Sequence, residues 1–98
     1  MVDLKKIIGF EWDEGNVDKS YLKHGIIPNE AEEVFLDKDI LLLDDIQHSQ
    51  QEKRFDALGK STKGHILFLA FTVKKNKIRI ISARTANKKE RRQYEQKP

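Results

Sequence analysis

Cysteine is missing from all 98 residues, which rules out disulfides and thiolate metal sites and fits a reducing compartment. No apolar run approaches the ~18 residues a membrane-spanning helix requires. The opening MVDLKKIIGFEWDEG holds no apolar stretch of signal-peptide length. A cytoplasmic protein with no membrane partner is expected. Repeats, low-complexity text and linkers are also lacking, and the loosest segments are Asp44 to Gln51 and the last few residues. There is no glycine-rich phosphate loop, because Gly59-Lys60-Ser61 follows a strand pattern but leads into a turn and another strand instead of a helix. Acidic residues cluster with histidine only at Asp44, Asp45 and His48, whose spacing is not that of a metal site. Neither a metal nor another cofactor is expected.

What remains is enough for one domain over residues 1–98. Hydrophobic residues make up 38% of the chain and aromatics number eight, sufficient for one core, while 36% charged residues imply a solvated exterior. Charge is unevenly placed. From Lys74 to Pro98 ten Lys or Arg face two Asp or Glu, a balance of +8, whereas Met1 to Val73 hold nine against fourteen, a balance of −5. Such a split points to a polyanionic partner, since clustered cations neutralise phosphates and release counterions; a solvated basic tail is the competing explanation. The segment IRIISARTANKKERR, Ile78 to Arg92, concentrates the signal, with a β-branched run carrying two arginines passing into a short basic helix.

Local pattern predicts an α+β domain. Ile7 to Trp12 reads as a short strand, and Asn16 caps a helix that Gly25 stops after His24. Pro28 opens a second helix with Ala31, Val34 and Phe35 on its buried side, and Glu30, Glu32 and Glu33 favour its positive N-terminal end. Strands follow at Ile40 to Leu43, Glu52 to Leu58, His65 to Val73 and Lys77 to Ala83, with Gly59, Gly64 and Asn76 in the turns. A four-stranded antiparallel meander results, with Ile66 to Val73 apolar enough to be its most enclosed strand. Thr85 caps a last helix from Ala86 to about Gln96, anchored by Ala86 and Tyr94; Lys88 and Arg92 stand four apart on it, where like charges repel.

Four blocks carry a family resemblance: FEWDEGN at Phe10 to Asn16 with KHGI at Lys23 to Ile26; EAEEVF at Glu30 to Phe35; HSQQEKRFDALGKS at His48 to Ser61; and KIRIISAR with the ERRQYE ending. In this order and spacing they resemble the BrnT toxins of bacterial type II toxin–antitoxin pairs, which look like compact relatives of the RelE-type ribonucleases. Ser20, Asn16 and Ile27 depart from residues common in that family. The resemblance implies a RelE-like α+β fold: a small antiparallel sheet, made of the four-stranded meander plus the short N-terminal strand, with two N-terminal helices and one C-terminal helix. It also implies an RNase that cuts without metal and a cognate ribbon-helix-helix-type antitoxin through which alone operator DNA is bound.

Metal-free RNA cleavage needs attack by the ribose 2′-hydroxyl on phosphorus, a base, an acid and fixed cations around the phosphorane. Arginine suits the last role, because its planar fork makes paired bonds to phosphate and stays charged. Arg54 of the ExR motif, with Arg79 and Arg84 of RIISAR, are the candidates. Regular strand alternation sets Arg79 with Ile81 and Ala83 on one face, and Ile78, Ile80, Ser82 and Arg84 on the other. The two arginines then converge only if a bulge or strand end intervenes. Surface ion pairs are the alternative for each.

His24 and His48 are candidate acids or bases, as the side chain that titrates near neutrality, and Glu52 is a candidate base. Carbonyl capping at the helix end competes for His24. Trp12, Lys23, Lys88, Arg91, Arg92 and Tyr94 are candidates for holding RNA, with Trp12 able to stack a base. Core burial for Trp12 and packing of the last helix for Tyr94 are the structural alternatives. Three functions stay open on these residues: an endoribonuclease toxin, a non-catalytic antitoxin-binding module acting in operon autoregulation, and a simple RNA-binding protein.

Overall fold

The computed structural model describes residues 3–12, 25–45 and 53–96. Its frame is a five-stranded sheet: β1 (Gly9–Trp12), β2 (Leu41–Asp45), β3 (Arg54–Lys60), β4 (Ile66–Lys74) and β5 (Lys77–Thr85), in spatial order β1-β5-β4-β3-β2. Strands β2 to β5 form the expected meander, each antiparallel to the next. The sheet as a whole is mixed, and this corrects the antiparallel reading, because β1 lies parallel to β5. Short turns at 61–65 and 75–76 force β3, β4 and β5 to reverse in succession, but nothing local fixes the direction of a strand that pairs with one so far along the chain. Two α-helices are described, α1 (Pro28–Glu33) and α2 (Lys88–Glu95). The helix expected from Asn16 to His24 lies outside the described residues. Among the described residues no helix is long and apolar enough to cross a membrane.

Strand β4 occupies the centre, as its apolar text requires. Leu67, Leu69 and Phe71 are fully buried on one face together with Ile78, Ile80 and Ala83 of β5 and Ala57 of β3. Each large side chain removed from water there contributes roughly 1.5–3 kcal/mol. Helix α1 and the 3-10 turn that continues it, Val34–Leu36, cover this face with Ala31, Val34 and Phe35. The Phe35 ring meets Phe71 edge-on at 5.1 Å between centroids and Phe10 at 5.6 Å, which ties β1 to the same core.

The turns explain the hairpins. Lys75 and Asn76 both adopt positive φ, 53° and 62°, the two-residue geometry whose twist matches the strands it joins. Gly64, at φ 85°, serves the β3–β4 connection. Gly59 does not, contrary to the turn assignment made from pattern. It lies inside β3, buried, where an added Cβ would come within 2.5 Å of Val34 Cγ1 and 3.2 Å of the Val34 carbonyl oxygen. Helix and sheet approach each other here because that side chain is missing.

The acidic residues of α1 are also a set of specific tethers. Glu32 accepts the Trp12 indole N–H at 2.9 Å, and Glu33 accepts both the backbone N–H and the hydroxyl of Thr62. Glu30, only 4% exposed, accepts Ser61 Oγ at 2.8 Å and contacts His65 Nδ1 at 2.8 Å. Burial pushes the Glu30 carboxyl up, but the bonds to Ser61 and His65 and the electrostatic pull of His65 and Lys63 outweigh it, leaving the group below its ordinary 4.5.

Thr85 remains in β5 and is not the cap of the last helix; Asn87 is. Its side chain accepts the Glu90 N–H at 2.8 Å while Glu90 accepts the Asn87 N–H at 2.9 Å, a reciprocal capping box. The signal was the Asn-x-x-Glu spacing, which places the cap two residues later than Thr85.

Gly59→Ala should lower stability by about 1–3 kcal/mol, read from the urea midpoint, since Val34 is fully buried and β-branched and has little room to yield. Acid should weaken the fold through Glu30. The unfolded carboxyl takes up its proton near 4.5 and the folded one only lower, so stability present above that pH is lost as pH falls through the folded value. Urea midpoints taken from about pH 6 to about pH 3 should therefore decline less steeply for Glu30→Gln than for the parent chain, and equal slopes would remove Glu30 from the account.

Candidate nucleic-acid interface

The sheet face opposite α1 gathers the chemistry. In β5 the pairing runs Phe71↔Ile80 and then Ala70↔Ser82, so Ile81 is an extra residue, a bulge. Its effect on facing is decisive. Ile78, Ile80 and Ala83 all turn toward the core, and Arg79, Ser82 and Arg84 all turn to the other face. Regular alternation would have separated the two arginines.

Register then builds a row across the sheet. Asp45 pairs with Arg54, Thr72 with Arg79, and Glu11 with Arg79. Phe55↔Phe71 sets Arg54 beside Thr72 at the next step. Reading from edge to edge, Asp45, Arg54, Thr72, Arg79 and Glu11 line up on one face. Arg54 and Arg79 are two strands apart, roughly 10 Å at the backbone, a span that long guanidinium side chains close around an anion of phosphate size. Both arginines, like Asp45 and Asp56, also make interactions within the fold.

Arg79 lines one side of an open cleft of about 530 Å³ with Glu11, Trp12, Lys74 and Lys75. Lys77 sits nearby and pairs with Glu11 at 3.7 Å. The β4–β5 turn thus places three lysines around one end of the arginine row, while Glu11 and Asp45 bound it at the edges. Trp12 takes part in both the fold and the cleft: it packs against the core, is half-buried, and donates its N–H to Glu32.

Arg84 is used differently from Arg79. Its guanidinium grips Glu90 with two bonds, Nη1 to Oε1 at 2.7 Å and Nη2 to Oε2 at 2.8 Å, and lies 4.4 Å over the centre of the Phe68 ring. The bond to Glu90 raises Arg84 above its usual value against the opposing effect of burial. In return Arg84, against burial and with help from the Asn87 N–H, holds Glu90 below the usual carboxylate range. This fork fixes the start of α2 to the outer face of the sheet. Tyr94 fixes the other end, donating its hydroxyl to Asp37 Oδ2 at 2.5 Å. Burial and then that bond push the phenol well above its ordinary pKa, so it keeps its proton. Lys88, Arg91 and Arg92 are exposed on α2.

Of the residues singled out from sequence, Arg54 and Arg79 come together in one row, with Trp12 beside Arg79. Arg84 is on the same face further along β5, and Lys88, Arg91, Arg92 and Tyr94 belong to α2. Lys23, His24, His48 and Glu52 lie outside the described residues. Pattern reading missed Thr72, Asp37 and the Glu30–Ser61–His65 cluster. Thr72 carried no signal in the sequence, because one hydroxyl in an apolar strand is ordinary strand text.

The family model described as "Ribonuclease toxin, BrnT, of type II toxin-antitoxin system" matches residues 12–90. The chain belongs to this family. Among solved structures it is similar to the ribonuclease toxin BrnT of Brucella abortus, with a TM-score of 0.62 and 20% sequence identity, over 83% of this chain and 99% of that one. At that identity the likeness is one of fold. No curated protein sequence matches the chain.

Arg84→Ala should lower the melting temperature, because it leaves the Glu90 carboxylate, 15% exposed, without its fork; about 1–3 kcal/mol is expected for a charge-assisted bond of this kind, toward the low end given that Arg84 is 36% exposed. Arg84→Lys should recover little of it, since an ammonium cannot make the paired contact. A melting temperature unchanged in both variants would show that the fork does not hold α2.

Proposed function

We propose that the chain is the toxin of a type II toxin–antitoxin pair and acts as a metal-independent endoribonuclease in the cytoplasm, cutting RNA and so arresting translation and growth. The observation that carries this reading is the placement of Arg54 and Arg79 in one row on a single sheet face, with the Lys74–Lys75–Trp12 cleft adjoining. Two guanidiniums on either side of a phosphodiester neutralise it and stabilise the charge that develops as phosphorus becomes five-coordinate. Cation supply is the task a metal would otherwise perform.

The reaction is transesterification. The 2′-oxygen bonds to phosphorus, the bond from phosphorus to the 5′-oxygen breaks, a base takes the 2′-proton, and an acid gives a proton to the departing oxygen. His24, His48 and Glu52 are the proposed carriers of these protons. Tyr94, protonated and engaged by Asp37, is no base at neutral pH. Arg84 supports the site by holding α2 against the sheet, from which Lys88, Arg91 and Arg92 bind RNA beyond the cut. A cognate antitoxin of ribbon-helix-helix type covers this basic face, and operator DNA is bound only through that partner. The RelE-type ribonucleases supply a mechanistic analogy.

Purified chain should cleave RNA in the presence of EDTA. Arg54→Ala and Arg79→Ala should each reduce kcat/KM by about 10²–10³ while the melting temperature stays near that of the parent, as expected for a lost transition-state contact. Activity that EDTA abolishes and a divalent ion restores would overturn metal independence. Full activity in both arginine variants would move the site elsewhere.

A further inference from the structure

The arginine row has a floor. Thr72 lies between Arg54 and Arg79 in the register, is 2% exposed, and its Oγ1 is the one buried side-chain polar atom among the described residues that has no hydrogen-bond partner. Every other buried polar side chain near the core is satisfied: Glu30 and Ser61 bond to each other. A buried hydroxyl without a partner costs free energy, and valine at the same position has nearly the same shape, the same branching at Cβ, and no such cost. Strand propensity does not favour threonine over valine enough to offset this. The orphaned hydroxyl therefore works against stability at the place where the candidate site needs a donor.

We propose that Thr72 is a phosphate-binding residue, whose hydroxyl donates to a non-bridging oxygen of the RNA phosphodiester held between Arg54 and Arg79. The assignment rests on the nuclease reading for the identity of the site and goes beyond it in naming a neutral donor. The chemistry fits the position. A hydroxyl carries one donor and rotates to aim it, and an anion brought in by two guanidiniums presents acceptors only. Thr72 is covered in the unliganded fold, so an oxygen reaches it as neighbouring side chains part. The arginines at the adjoining register positions have the rotamer freedom to do this, and their outward swing is also what gripping a phosphate requires. Thr72 thus becomes satisfied only when substrate is bound, and a donor that is unpaired in the free protein favours the complex by the full difference.

The test uses the complete chain and its Thr72→Val and Thr72→Ser variants. Three quantities are measured: the urea midpoint, kcat/KM on an RNA oligonucleotide, and the Kd for the same oligonucleotide with a single 2′-deoxy substitution at the cut, which keeps the phosphate but blocks reaction. Thr72→Val should unfold at an equal or higher urea midpoint, yet lose roughly 10- to 100-fold in kcat/KM and at least several-fold in affinity for the 2′-deoxy oligonucleotide. Thr72→Ser should retain most of both. A Thr72→Val chain that unfolds at lower urea overturns the proposal, since the hydroxyl would then be serving the fold. So does a stable Thr72→Val chain with parental kcat/KM and Kd. Should the parent bind the oligonucleotide but cut no RNA, the nuclease reading fails while the Kd arm still decides the role of Thr72. A parent that neither binds nor cuts overturns both.

Discussion

One extra residue in β5 governs the arrangement of the rest. A strand that keeps its pleat cannot send Ile78, Ile80 and Ala83 to the same side, nor Arg79 and Arg84 to the other. The bulge at Ile81 changes parity once, between Ile80 and Ser82, and meets both demands. The core gains a continuous apolar stripe on β5 against Leu69 and Phe71. The opposite face gains two cations on one strand. Packing and charge placement are in this way set by a single local irregularity, of the kind that redirects side chains near functional surfaces.

The two arginines on this face do different work. Arg84 spends its charge inside the protein, on Glu90 and across the Phe68 ring, and so attaches a helix that has little apolar surface of its own. Arg79 stands at the mouth of a cleft with Lys74 and Lys75. The same division runs through the acidic residues of α1. Glu30, Glu32 and Glu33 look interchangeable as a run of charge near a helix start, but each is bound to a different element: the Ser61–His65 turn, Trp12, and Thr62. Together they bring β1 and the β3–β4 connection to one short helix. Charge thus does much of the fastening between elements around the apolar core.

How much was legible in sequence depended on whether the cause was local. The meander, its central apolar strand, Pro28 at a helix start and the Lys75-Asn76 turn all follow from neighbours a few residues apart, and they were readable. The parallel direction of β1 and the place of Gly59 under Val34 depend on contacts between distant segments, which no local pattern encodes. At the site, the residue types were legible and the geometry was not. Arg54 and Arg79 could be named from composition and motif, yet their convergence rests on inter-strand register. Alternation alone put Arg79 and Arg84 on opposite faces, because a bulge carries no dependable sequence mark. Thr72 was hidden for the opposite reason: one hydroxyl in FLAFTV looks like ordinary strand text until its lack of a partner is seen.

The parallel edge strand has a consequence for synthesis. Gly9 pairs with Lys77 and Trp12 with Ile80, so one half of this ladder leaves the ribosome well before the other. The hairpins close short loops soon after each is made, whereas β1 must wait for β5 before it has any strand to join. Glu11 and Trp12, one wall of the cleft, therefore reach Arg79, Lys74 and Lys75 only once the long stretch of chain between them has been made. Until that moment the nascent chain has no finished groove with which to seize a nucleic acid.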